Sequence, residues 1–279
     1  MKWWSICALA LSLSLVHGSE TASESSFLIK DGLIWVQVTT PRSPTPLNFL
    51  LDSGANVSVI NLNTARRLGV DLGARVSVRG VKSTTAGYWP QRLSASLGGV
   101  KLPQEYLALD LEDLSRACSS EIDGLLGTDF FRQHVVQIDF VTQKLRFLKT
   151  VEKSTDAETL PLELRRCGMR VPIRVDGGKP QWVRLDTGCS SSLQWVTSGV
   201  QPKNCTRQMA VGLSEISIPS ARTTVQLGGI TFESVPTGFH KKEIFAGESG
   251  LLGNGLLSRL QSVTVDAKGG RVILKKSSS

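Results

Sequence analysis

The chain is short of the residues that most often mark a reactive or metal-bound centre. Of its 279 residues only five are cysteine and three histidine. No Cys-x-x-Cys occurs, and His134 and His240 fall in no Ser/His/Asp or metal-ligand spacing, so a zinc site or a serine-type triad is not expected. Tyrosine occurs twice and aromatic residues make up 6% of the chain. The net charge of +8 comes from scattered pairs such as Arg66-Arg67, Arg165-Arg166 and Lys275-Lys276, without the interleaved aromatics of a nucleic-acid surface. It reads as a solvated basic surface. Beyond residue 16 no apolar run is long enough to cross a membrane.

What is present starts with Lys2 and an apolar stretch from Trp3 to Val16, ending at Val16-His17-Gly18. This pattern predicts a signal peptide over residues 1–18 and hence a secreted or periplasmic protein. Residues 19–29, rich in Ser and Glu, are expected to be disordered. Export permits disulfides among Cys118, Cys167, Cys189 and Cys205. The short loop it would close makes Cys189–Cys205 the pairing to expect, with free buried thiols as the alternative.

From residue 30 the pattern is of short alternating strands broken by turns. The Pro41, Pro44 and Pro46 cluster cannot lie within a sheet and reads as a hairpin loop. Ala65 to Leu68 reads as a short helix ended by Gly69. Between the strands stands Phe49-Leu50-Leu51-Asp52-Ser53-Gly54-Ala55, an apolar strand running into a carboxylate, a hydroxyl and a glycine. A carboxylate at the end of a buried strand needs hydrogen-bond donors, and Gly54 lets backbone N–H groups approach it. The same grammar returns in Val183-Arg184-Leu185-Asp186-Thr187-Gly188-Cys189.

Other landmarks recur in the same order. Gly80 is matched by Gly212, Leu97-Gly98-Gly99 by Leu227-Gly228-Gly229, Gly124-Leu125-Leu126-Gly127 by Gly250-Leu251-Leu252-Gly253, and Val136-Gln137-Ile138-Asp139 by Val263-Thr264-Val265-Asp266. The expectation is two similar all-β units, at residues 30–148 and 160–276, joined by a charged linker at 149–159. They are expected to be related by a pseudo-twofold axis.

At the paired Asp-Ser/Thr-Gly motifs the chain resembles the aspartic proteases, and most closely the retropepsin-type aspartyl proteases of bacteria, with two units fused in one chain. The resemblance implies an all-β fold of two β-barrel lobes with a cleft between them. It implies an aspartic endopeptidase in which Asp52 and Asp186 activate a water, with neither metal nor other cofactor. Ser53, Gly54, Thr187 and Gly188 would support the catalytic loops, and the apolar-apolar-Gly elements would pack behind them. Two hairpin tips fall at the family's flap position, making Gly80, Tyr88 and Gly212 flap candidates. The substrate would be a peptide or protein, and one chain with both aspartates would act as a monomer.

Two departures favour an alternative, a non-catalytic protein binding peptides or a cell-envelope polymer in the cleft. Cys189 stands where Ala or Ser is usual, and Asn254-Gly255 replaces Thr128-Asp129. Asn56-Val57-Ser58 also matches the glycosylation triplet, but Asn56 is expected to be buried beside the loop.

Overall fold

A computed structural model describes residues 21–79, 84–151, 155–165, 168–197, 208–211 and 214–277. The expected signal segment 1–18, Gly80, Gly212, Cys167 and Cys205 lie outside the described residues.

The fold is all-β, with 54% of residues in strands and 10% in helices. It is organised by two crossings of one kind. In the first half the strand Leu47–Leu51 carries Asp52 and lies parallel to Gly124–Leu126, with Phe49, Leu50 and Leu51 opposite Gly124, Leu125 and Leu126. In the second half Gln181–Asp186 lies parallel to Gly250–Gly253, with Arg184, Leu185 and Asp186 opposite Leu251, Leu252 and Gly253. The glycines are sterically required. A Cβ on Gly127 would lie 2.5 Å from the Val57 carbonyl, and one on Gly253 would lie 2.3 Å from the Ser191 carbonyl oxygen. Both glycines let the loop after each aspartate fold back over its supporting strand.

The halves differ in closure. The second forms a closed six-strand barrel, because Gly168–Val175 pairs with both Gln181–Asp186 and Ser220–Leu227. The strands of the first half instead run on into a thirteen-stranded sheet. Both halves contribute to one end of that sheet, where Val136–Asp139 pairs antiparallel with Ser262–Val265. One buried apolar cluster extends through both halves, from Phe27 and Phe49 to Val183, Leu252 and Leu274.

Two expectations about the connecting segments are corrected. Thr21–Lys30, expected to be largely disordered, is a ten-residue strand. Its first part pairs with Lys144–Leu148 and its last part with Leu33–Val38. The turn to the second partner is Asp31-Gly32, both residues at positive φ (55° and 74°), which is the backbone of a tight type I′ hairpin. Only Phe27 of this strand is buried, so its order comes from backbone pairing on two sides rather than from an apolar face. The expected 149–159 linker ends early, since Ala157–Pro161 is already a strand against Arg271–Lys275.

Candidate active site

Asp52 and Asp186 meet at the junction of the halves, each partly exposed. The approach is close enough to govern the neighbouring residues. A Cβ on Gly54 would lie 2.5 Å from the Asp186 carboxyl carbon, and one on Gly188 would lie 2.4 Å from that of Asp52. Each glycine therefore leaves the space that the opposite carboxylate fills.

The adjacent hydroxyls fix this approach. Ser53 Oγ donates to the Leu185 carbonyl (2.7 Å) and accepts from the Thr187 N–H (2.9 Å). Thr187 Oγ1 donates to the Leu51 carbonyl (2.8 Å) and accepts from the Ser53 N–H (2.9 Å). Both side chains are buried, so four reciprocal bonds join the two loops away from water. Leaving any of these groups unpaired carries the full cost of desolvation.

Behind each loop the backbone pattern is also matched. Thr128 N–H donates to the Ala55 carbonyl and Asn254 N–H to the Cys189 carbonyl, both at 2.8 Å. Thr128 Oγ1 donates to the Ser53 carbonyl (3.1 Å), and Asn254 Nδ2 donates to the Thr187 carbonyl (2.6 Å). Asn254 thus holds the second loop as Thr128 holds the first, and also reaches the Gly32 carbonyl (3.0 Å) in the other half. Gly255 lies where the first half has Asp129. Asp129 bonds the Ser58 N–H and hydroxyl, whereas a Cβ at Gly255 would lie 2.7 Å from Ser192 Oγ. The departure at Asn254-Gly255 is a different way of bracing the same loop.

Cys189 is a buried thiol, and Cys205, its expected partner, lies outside the described residues. Its Sγ lies 2.9 Å from Ser191 Oγ, which accepts from Gln194 Nε2 at 2.9 Å. Burial and the nearby Asp186 push the thiol up to about 12, so it stays protonated. Asn56, expected to be buried, is exposed, while Ser58 two residues on is enclosed.

Burial raises both aspartates above the ordinary carboxylate range. For Asp186 the second cause is the negative charge of Asp52. Two like charges at this range cannot both be ionised cheaply, so the pair retains one proton between them. The donors are unequal. Asp52 Oδ1 accepts from Gly54 N–H (3.0 Å) and Ala55 N–H (3.1 Å), whereas Asp186 Oδ1 accepts from Gly188 N–H (3.0 Å). Backbone donors favour the charged form, so the two loops do not support their carboxylates equally.

Sequence reasoning passed over Arg184. The residue is 4% exposed, and its guanidinium bonds the equally buried Glu248 through Nε and NH2, both at 2.8 Å. NH1 donates to the Gly54 carbonyl (2.9 Å), and the group lies 3.6 Å from the Phe245 ring centroid. Its positive charge opposes the rise at both aspartates. The available signal was a bare arginine two residues before a strand-end aspartate, at a position the first half fills with leucine.

Of the flap candidates, Tyr88 lies on the strand Thr84–Arg92, half-buried and packed against the core of its own half. That strand and Ala74–Arg79 form a hairpin; Gln208–Val211 and Ser214–Ser217 form a second. Among the described residues no group of His, Cys, Asp and Glu is arranged to hold a metal ion. No described helix is long and apolar enough to cross a membrane.

No curated protein matches the chain. The family model described as Aspartyl protease matches residues 36–130, from the strand ahead of Asp52 through Thr128 and Asp129. The match supports a protease-type function, and with it peptides or proteins as substrates. By that match, the segment built around Asp52 is similar to the aspartyl protease family.

Proposed function

We propose that the chain is an aspartic endopeptidase whose catalytic pair is Asp52 and Asp186. The observation that carries this reading is the approach of the two carboxyls, each over the other's loop glycine, held by the reciprocal Ser53 and Thr187 bonds. In the proposed reaction Asp52, ionised, takes a proton from a water as its oxygen attacks the scissile carbonyl. Asp186 gives its proton to the carbonyl oxygen, forming a neutral gem-diol. Collapse breaks the C–N bond, the amine leaves with the proton held by Asp52, and the gem-diol hydroxyl returns a proton to Asp186. Both carboxyls end as they began, and no covalent intermediate forms.

The two units at 30–148 and 160–276 are, in this reading, lobes of one duplicated ancestor. The matched bonds to Thr128 and Asn254 support it, as do the matched strand crossings. The N-terminal pattern supports action outside the cytoplasm, in the periplasm or secreted medium. One chain supplies both aspartates, which supports a working monomer. The grounds for a purely binding protein weaken, because Cys189 is protonated and enclosed and Asn254 takes over the role of Thr128.

The test is cleavage of an unfolded protein substrate by the full chain and by Asp52→Asn and Asp186→Asn. Each substitution is expected to lower kcat by about 10³-fold or more, at the upper part of the range for lost acid–base catalysis, with the melting transition retained. Undiminished cleavage by both folded variants would contradict the proposal.

A further inference from the structure

We propose that Arg184, held by Glu248 and Phe245, is a positioning residue that breaks the symmetry of the carboxylate pair and assigns Asp52 as base and Asp186 as acid. The inference rests on the aspartic-protease reading and goes beyond it by deriving the division of labour from one side chain.

Arg184 reaches Asp52 through a single peptide unit. Arg184 NH1 donates to the carbonyl of Gly54 at 2.9 Å, and the N–H of that same peptide, on Ala55, donates to Asp52 Oδ1 at 3.1 Å. A guanidinium on the carbonyl fixes the plane of the peptide and polarises its N–H toward Asp52. In the other loop the equivalent peptide joins Gly188 to Cys189. There the Cys189 N–H bonds the backbone carbonyl of Asp186 (3.3 Å), as the Ala55 N–H also bonds that of Asp52 (3.2 Å), so the loops differ in the added bond from Ala55 to the Asp52 carboxylate. The register explains the difference. Leu50 opposite Leu125 is the counterpart of Arg184 opposite Leu251, so the first half offers leucine where the second offers a guanidinium. Asp52 thus has two backbone donors and Asp186 has one.

Arg184 is held so that its reach does not vary. Glu248 grips it through two nitrogens, leaving NH1 for Gly54, and Phe245 covers its face at 3.6 Å. Gly168 is also shaped to it, since a Cβ there would lie 2.6 Å from NH2. The counterpart of Glu248, two residues before the glycine that opens the supporting strand, is the buried apolar Ile122. An apolar pair therefore suffices to support a loop, and the ionic pair does something more. Among the described residues, the charged groups acting on the carboxyls are Arg184 and each carboxyl on the other; Glu248 pairs with Arg184, and the Cys189 thiol lies beside Asp186.

The test converts the ionic pair to the apolar arrangement of the first half, with Arg184→Leu and Glu248→Leu together in the full chain. Two readouts are taken: the pH profile of peptide cleavage, and a carbon-13 carboxyl titration of Asp52 and Asp186 that needs no turnover. The double variant is expected to keep its melting transition, to lose about tenfold in kcat with KM within about twofold, and to show the acid limb and the carboxyl titration moved up by about one pH unit, since the guanidinium that lowers both carboxyls and holds the Gly54 peptide is gone, and the Glu248 charge removed with it is not among the causes acting on them. Should it fail to fold, Arg184→Lys keeps charge and pairing but shortens the fork, and is expected to move both readouts less in the same direction. A folded variant with an unmoved titration overturns the inference, whatever its activity. A wild-type chain that cleaves nothing, with the titration shifted as expected in the variant, overturns the protease reading and leaves the electrostatic role of Arg184 standing.

Discussion

Behind the Asp52 loop the supporting positions are hydrocarbon; behind the Asp186 loop the same positions hold an ion pair. Leu50 and Ile122 belong to a cluster with Trp35, Leu111 and Cys118, roofed by the short helix Glu112–Ala117. Arg184 and Glu248 occupy the matching register, against Phe245. The strand crossing tolerates either filling, so the glycines and the parallel pairing define the scaffold rather than the chemistry of the side chains behind it. A buried ion pair offers little net stability over well-packed apolar residues, because desolving two charges offsets their attraction. Its presence on one side only is what makes a role beyond support worth testing.

The comparison can be broken most severely at Glu248. Glu248→Ala leaves a buried guanidinium with one carbonyl for a partner and is expected to cost about 3–5 kcal/mol in urea unfolding. Ile122→Ala, its first-half counterpart, is expected to cost about 2–4 kcal/mol as a cavity. Equal and small losses at both sites would mean that the second half is not held by its ion pair.

The Ser53 and Thr187 bonds form the symmetric part of the contrast. Ser53→Ala and Thr187→Ala each remove one donor and one acceptor from a buried four-bond exchange. Each is expected to cost about 2–4 kcal/mol, and the two losses are expected to agree within about 1 kcal/mol. A much larger loss at one site would show that the loops are not equivalently braced.

The smallest effect is expected at Asn254. Asn254→Thr keeps a donor toward the Thr187 carbonyl, gives up the bond to Gly32, and removes an Oδ1 that has no partner among the described residues. The net loss is expected to be about 0.5–1 kcal/mol by thermal unfolding. A loss several times larger would mean that the tie to Gly32, and with it the first hairpin, carries the second loop.

Much of this arrangement was legible in the sequence because it is written in residues with narrow backbone roles. Asp-Ser/Thr-Gly and Leu-Leu-Gly can be recognised without a fold, and the resemblance they carry placed Leu-Leu-Gly behind each loop. What escaped was written in ordinary residues. Thr21–Lys30 has one buried side chain, so its polar sequence gave no periodic signal, and only Asp31-Gly32 marked its hairpin. Arg184 looks like a surface residue until Glu248, 64 positions away, is brought to it. Asn254 looked like divergence because a side-chain amide and a hydroxyl do not resemble each other in sequence, although both can donate to a loop carbonyl. Cys189 showed in sequence only its short spacing to Cys205, and not its burial against Ser191.

The central claim, that the two carboxyls act as one group holding one proton, is tested most directly by calorimetric titration of the full chain with a statine-type peptide across pH. Both aspartates are raised by burial, so the one-proton state persists above the ordinary carboxylate range and is lost only as pH rises past the upper step of the pair. The account predicts binding that is strong while one proton is held, weakens as pH rises through that step, and is abolished in Asp52→Asn. Binding independent of pH, or unchanged in the folded Asp52→Asn variant, would contradict it.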